Sequence, residues 1–119
     1  MRELTQPAVD DIKLVDVLHA LADPVRLHIV ARLADEERES CSGISEGVDV
    51  HRTTMSHHYR VLRESGVTWT TVEGRTRYVS LRRDDLDARF PGLLDAVLDQ
   101  LRRSRPASSA APRSKPERP

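Results

Sequence analysis

Several common stabilising and anchoring devices are missing from this chain. Its 119 residues include a single cysteine, Cys41, which excludes an intramolecular disulfide framework. No apolar run reaches membrane-spanning length, and the opening MRELTQPAVDD lacks the apolar stretch of a signal peptide. A cytoplasmic chain with no membrane partner is therefore expected. Nor can an enzyme be drawn: there is no Cys/His/Asp triad, no Gly-rich phosphate loop and no pair of carboxylates at a cleft, so no catalytic residues are assigned. Net charge is absent too, nineteen Lys and Arg offsetting nineteen Asp and Glu. A chain this short is one domain and buries one small core.

The zero hides a division. Residues 51–83 carry seven arginines (52, 60, 63, 75, 77, 82 and 83) against Glu64 and Glu73, a local balance of +5. Residues 1–50 carry five basic against eleven acidic groups, or −6, and residues 84–119 seven against six, or +1. A basic segment displaces counterions from phosphates, and an acidic half favours one docking orientation. Two ordinary solvated faces would give the same tally, so the pattern of the residues has to decide.

That pattern is clearest in TTMSHHYRVLRESGVTWTTVEGRTRYVSL, residues 53–81. Met55, Tyr59 and Leu62 fall at i, i+4 and i+7, one buried stripe of a helix. Thr53, Ser56, His57 and Arg60 fall on another face at i, i+3, i+4 and i+7. Short donors, an imidazole and a guanidinium are the chemistry that meets phosphates and base edges. The helix is expected over about Arg52–Ser65, with Gly66 as its stop. Two strands follow at about Val67–Val72 and Arg75–Leu81, joined at Glu73-Gly74, and they bring Arg75 and Arg77 beside the turn. A recognition helix followed by a basic wing reads DNA.

Around this unit the chain reads as mainly α with a small antiparallel β-hairpin, a winged helix-turn-helix. Residues 1–8 form a flexible polar lead, residues 9–103 the DNA-binding and dimerisation domain, and residues 104–119 a disordered Pro/Ser/Arg tail holding four of the seven prolines. Apolar residues repeat at helical spacing from about Val9 to Ala22. Asp23-Pro24 then caps and opens a second helix. Residues 40–50 are the least regular, with a short helix about Ser42–Gly47. A last helix spans roughly Asp84 to Arg103, with Pro91 as its point of breakage. Leu86, Phe90, Leu94, Val97 and Leu101 form a stripe there longer than one internal core needs. Two such helices across a dyad would bury it, with Ile12, Val15 and Leu18 packing alongside, which makes a homodimer.

At LADPVRLHIV (21–30), MSHHYRVLRESGV (55–67) and EGRTRYVSL (73–81) the chain resembles the ArsR-type (ArsR/SmtB) family of winged helix-turn-helix repressors. The three motifs occur in the family's order, over about residues 10–102. The resemblance implies a homodimer held by its first and last helices, and repression at a double-stranded DNA operator relieved by an effector. It places Arg52, Thr53, Thr54, Ser56, His57 and Arg60 on the groove-facing part of the helix, and Arg75 and Arg77 on the wing. It also implies that Arg26 ties helices together. His58 reads as a histidine satisfied on the core side.

Many members of that family release DNA on binding metal, but the ligand sets are incomplete here. Where one family site has a Cys-x-Cys pair, this chain has Cys41 and Gly43, and one thiol is too few donors. Where another site places acidic and histidine donors on the last helix, residues 84–103 hold aspartates and no histidine. His19, His28 and Cys41 remain as weak candidates, suited to weak nickel or zinc binding, and no cofactor is required. Two rival readings stay open: a regulator that needs a separate co-regulator protein, and a protein-interaction module without direct DNA binding. Four guanidiniums at the helix and wing argue against the second.

Overall fold

A computed structural model describes residues 4–104. A 3-10 turn at Val9–Asp11 precedes helix α1, Leu14–Ala20, and helix α2, Pro24–Ala34. Strand β1, Glu39–Ser40, leads into α3, Cys41–Glu46, and then α4, Arg52–Ser65. Strands β2, Thr68–Glu73, and β3, Thr76–Leu81, form the wing, followed by α5, Arg83–Arg89, and α6, Leu93–Ser104. The sheet is antiparallel in the order β1-β3-β2. No helix among the described residues is long and apolar enough to cross a membrane.

Local chemistry sets the helix starts. The Asp23 carboxylate accepts from the backbone N–H of Val25 at 2.9 Å and of Arg26 at 3.1 Å, with Pro24 at the first helical position. Ser40 caps α3 by accepting from the Gly43 N–H at 3.0 Å. His51 caps α4 through Nδ1, which accepts from the Thr53 N–H at 3.1 Å.

At the other end of α4, Gly66 adopts φ 92°, the left-handed stop expected of it. Its lack of a side chain has a second use. A Cβ there would stand 2.6 Å from Cγ1 of Ile12, so Gly66 also makes room for that core residue. Ile12 reaches the spot because the chain is extended at Ile12 and Lys13, not helical. The apolar repeat from Val9 to Ala22 is thus a 3-10 turn, an extended joint and a seven-residue helix, and not one run of helix.

The core gathers Ile12, Val17, Ile29, Val30, Leu33, Ile44, Met55, Leu62, Val67 and Val79, all close to fully buried, beneath the sheet and between α1, α2 and α4. Arg26 ties this layer together. Its guanidinium donates to the carbonyls of Ala20 (2.7 Å) and His19 (3.3 Å) and lies 3.1 Å from Nδ1 of buried His58. The tie joins the end of α1 to α2 and α4.

Several expectations shift. Strand β1 was not foreseen; Glu39 and Ser40 pair with Val79 and Tyr78. The hairpin turn lies one residue later, at Gly74-Arg75, because Glu73 still pairs with Thr76 and Gly74 takes φ 63°. The last helix does break about Pro91, as expected: Phe90–Gly92 leaves the helical conformation, and Gly92 has φ 87°. The lead, expected to be flexible, is pinned from Gln6 onward. The Gln6 amide donates to the Thr70 carbonyl at 3.0 Å and accepts from the Thr70 N–H at 2.6 Å, covering part of the free edge of β2. The tail expected to be disordered lies, beyond Ser104, outside the described residues.

Candidate nucleic-acid interface

Helix α4 divides cleanly by face. Met55, His58, Tyr59 and Leu62 are buried, while Arg52, Thr53, Thr54, Ser56, His57 and Arg60 are all exposed. The wing places Arg75 in the turn and Arg77 on β3, both exposed. The two elements converge: Arg52 and Ser56 of α4 and Arg77 of the wing line one cleft, together with Ser42, Ser45 and Glu46 of α3. All eight residues assigned to DNA in the sequence therefore stand free of the core, and at least three share one opening.

The basic charge is less available than its count implied. Arg82 is buried, ion-paired to Asp85 at 3.0 Å, and donates to the Pro7 carbonyl at 2.8 Å. Arg83 is half-buried and reaches Asp95 at 3.3 Å. Arg63, on the underside of α4, is 9% exposed. Burial pushes its pKa down, Glu64 opposes this, and Arg77 and Arg60 add to the depression. Of the seven arginines in this segment, only Arg52, Arg60, Arg75 and Arg77 are exposed.

One contributor escaped the sequence reading. Arg38, just before β1, pairs with Glu73 at 2.8 Å and stacks 3.9 Å over the Tyr78 ring, bracing the base of the wing. Glu73 is held below its usual pKa by the Arg38 hydrogen bond, so the wing's one carboxylate is spoken for. No spacing rule joins residue 38 to residue 73; the pair exists only because β1 adds to the sheet.

The other candidates separate. Among the residues expected at a dimer seam, Ile12, Leu86 and Leu94 belong to the chain's own core, and Leu98 joins them. The break at Gly92 resets the helical phase, so Leu94 and Leu98 point inward and Val97 and Leu101 lie half-buried beside them, as does Phe90. On α1, Leu14, Val15 and Leu18 are 46, 68 and 47% exposed.

The donors weighed for metal do not assemble. Among the described residues no group of three or more His, Cys, Asp or Glu side chains could hold an ion. His19 and His28 are exposed on different helices. Burial raises the Cys41 pKa to about 11 despite nearby Arg77 and Arg63, so its thiol keeps its proton at neutral pH. The family's thiolate and last-helix sites do not fit these residues.

Comparison with known proteins agrees with this fold. A helix-turn-helix domain model matches residues 21–68, from the end of α1 into β2. The chain is 37% identical over 95 residues to the HTH-type transcriptional regulator YceK of Bacillus subtilis (strain 168), covering 79% of this chain and 95% of the relative. This chain belongs to the ArsR/SmtB family of winged helix-turn-helix transcriptional regulators. An ArsR family transcriptional regulator of solved structure shares the fold at TM-score 0.60 and 24% identity, covering 85% of this chain and 99% of that one. The transcriptional repressor BigR of Xylella fastidiosa superposes at TM-score 0.58 and 25% identity, covering 73% and 84%. The chain is a DNA-binding transcriptional regulator, and the relatives named above are transcriptional regulators.

Proposed function

We propose that this regulator is a dimeric repressor that holds a double-stranded DNA operator with α4 and the wing and lets go when an effector binds. The observation that carries the reading is the convergence of Arg52, Ser56 and Arg77 on one opening, beside the exposed His57 and Arg60. In this reading Thr53, Ser56, His57 and Arg60 enter the major groove, and Arg52, Thr54, Arg75 and Arg77 hold flanking phosphates. A dimer presents two copies of the helix to two half-sites about one helical turn, or roughly 34–36 Å, apart.

The seam we assign uses Leu14, Val15 and Leu18 of α1 with Phe90, Val97 and Leu101. Three large apolar side chains on a seven-residue helix are exposed in the single chain, and a second copy would take them out of water. The repressor's effector is not a tightly chelated metal, because Cys41 has no thiol partner and His19 and His28 stand alone; nickel or zinc binds weakly at most. A separate co-regulator protein is the second reading, and it draws on the same exposed α1 face.

Selection of genomic duplex fragments on the purified protein, followed by a salt titration of the retained sequence, tests the proposal. Retention of specific fragments and a steep loss of affinity with salt are expected. A protein that retains no duplex, yet captures another protein through α1, would replace the proposal with the interaction-module reading.

A further inference from the structure

The cleft between α3, α4 and the wing contains a charged group that the fold leaves without work. Arg26 and Arg82, the other buried arginines among the described residues, each donate to backbone carbonyls, and Arg82 also pairs with a carboxylate. Arg63 is as deeply buried, yet its Nε has no hydrogen-bond partner. A buried donor left unmade costs free energy, so such groups call for an explanation. Arg63 lines a cleft of about 440 Å³, and Arg77 enters the same cleft from the wing. The two guanidiniums face an opening that holds one acidic group, Glu46, which is exposed at α3.

The walls say what kind of anion fits. Val50, Met55 and Cys41 offer apolar surface, and Ser42, Ser45 and Tyr59 offer hydroxyls. The Tyr59 hydroxyl is already engaged, 2.8 Å from Ser45 Oγ and donating to the Cys41 carbonyl at 2.9 Å. The volume lies within the range of about 300–1,000 Å³ typical of small-molecule sites, and such sites combine apolar walls with a few fixed polar groups. A bare phosphate would leave most of this space and its apolar wall unused.

We propose that the cleft binds a small organic carboxylate, its oxygens on Arg63 and Arg77 and its apolar body against Val50, Met55 and Cys41. Arginine suits the role because its planar fork matches a carboxylate. Arg52, Ser56 and Arg77 belong both to this cleft and to the DNA-reading face, so the bound acid and the operator exclude each other. The cleft is then the effector site. This last step rests on the DNA reading proposed above; binding of the acid does not.

The test uses the free full-length protein, with sodium benzoate as probe and benzamide and sodium phosphate as controls. Arginine Nε–H resonances are followed by NMR. Millimolar benzoate is expected to shift the Arg63 and Arg77 signals saturably, while benzamide and phosphate leave them in place. Arg63→Met should weaken benzoate binding by about tenfold or more, and Arg77→Gln gives the same readout should the buried substitution fail to fold. Saturating benzoate should also lower wild-type affinity for a retained duplex. No saturable shift with benzoate, an equal response to phosphate, or unchanged binding in both variants would overturn the proposal. Saturable benzoate binding by a protein that retains no duplex would uphold the cleft and overturn the competition, which separates the two ideas.

Discussion

Helices α1 and α4 both bury one face in the same core and turn another to solvent, but the solvent faces have opposite chemistry. On α4 the exposed groups are Arg52, Thr53, Thr54, Ser56, His57 and Arg60; on α1 they include Leu14, Val15 and Leu18. Water solvates the first set well and the second poorly. A face of donors and guanidiniums gains by meeting phosphates and base edges, whereas an apolar face gains by leaving water. The two helices touch each other inside the molecule, so a partner gathered on α1 fixes where α4 points. In the proposed dimer, assembly and reading thus use separate surfaces on one core.

The comparison breaks most visibly at the apolar face. Val15→Asp puts a carboxylate into the seam but leaves the single chain's core intact, so a folded monomer is expected by sedimentation with native helical circular dichroism. Leu94→Asp, by contrast, buries an unpaired charge inside the chain, a cost of several kcal/mol, and should unfold it. If both variants stay dimeric, the seam lies elsewhere.

Substitutions on α4 should spare assembly and strike binding. Arg60→Ala removes a candidate base reader, and a good base contact is worth about 1–3 kcal/mol, so operator affinity should fall by about ten- to a hundredfold with the dimer intact. Fluorescence anisotropy on specific and scrambled duplexes checks this. Arg75→Ala should act more mildly and alike on both duplexes, lowering the salt slope by about one phosphate contact per chain. An Arg60→Ala loss equal on both duplexes would move that residue from base reading to phosphate holding.

The smallest effect belongs to the tie between α1 and α4. Burial pushes the His58 pKa down; Asp23, 3.9 Å away, opposes this, while Arg26 and His57 add to the depression. The unfolded chain therefore binds the proton more readily, and stability should fall as pH drops below the ordinary histidine value of 6.5 toward the lower folded value. Asp23, whose pKa is lowered by the backbone N–H groups of Arg26 and Val25 against an opposing burial effect, contributes a further loss only at more acid pH, below 3.8. Thermal melts between neutral and mildly acid pH should show a falling Tm that His58→Gln flattens. An unchanged slope in that variant would remove His58 from the account.

Much of this arrangement was legible in the sequence, for local reasons. Helix α4 was readable to its ends because an apolar stripe and a glycine stop coincide in adjacent residues, and α2 because Asp23-Pro24 is a cap with its own geometry. What was not legible depends on residues far apart. Strand β1 is two residues long and has no pattern of its own; it exists by pairing with β3. Arg63 and Arg82 read as surface charge because arginine is rarely buried, although Arg63 stands four residues after Tyr59 on the buried stripe. The stripe on residues 86–101 was assigned one phase, and Gly92 resets it, which turned Leu94 and Leu98 into core and left Val97 beside them. Of the residues expected at a dimer seam, Ile12, Leu86 and Leu94 therefore lie in the chain's own core.

The central claim is that the exposed face of α4 and the wing together hold duplex DNA. Its most direct test is the affinity of the wild-type protein for a retained duplex as salt rises from about 50 to about 200 mM, compared with a variant carrying both Arg60→Ala and Arg77→Ala. The account predicts a steep linear fall of log affinity with log salt for the wild type, and weaker binding with a shallower slope for the variant at unchanged dimerisation. Superimposable titrations, or affinity indifferent to salt, would contradict it.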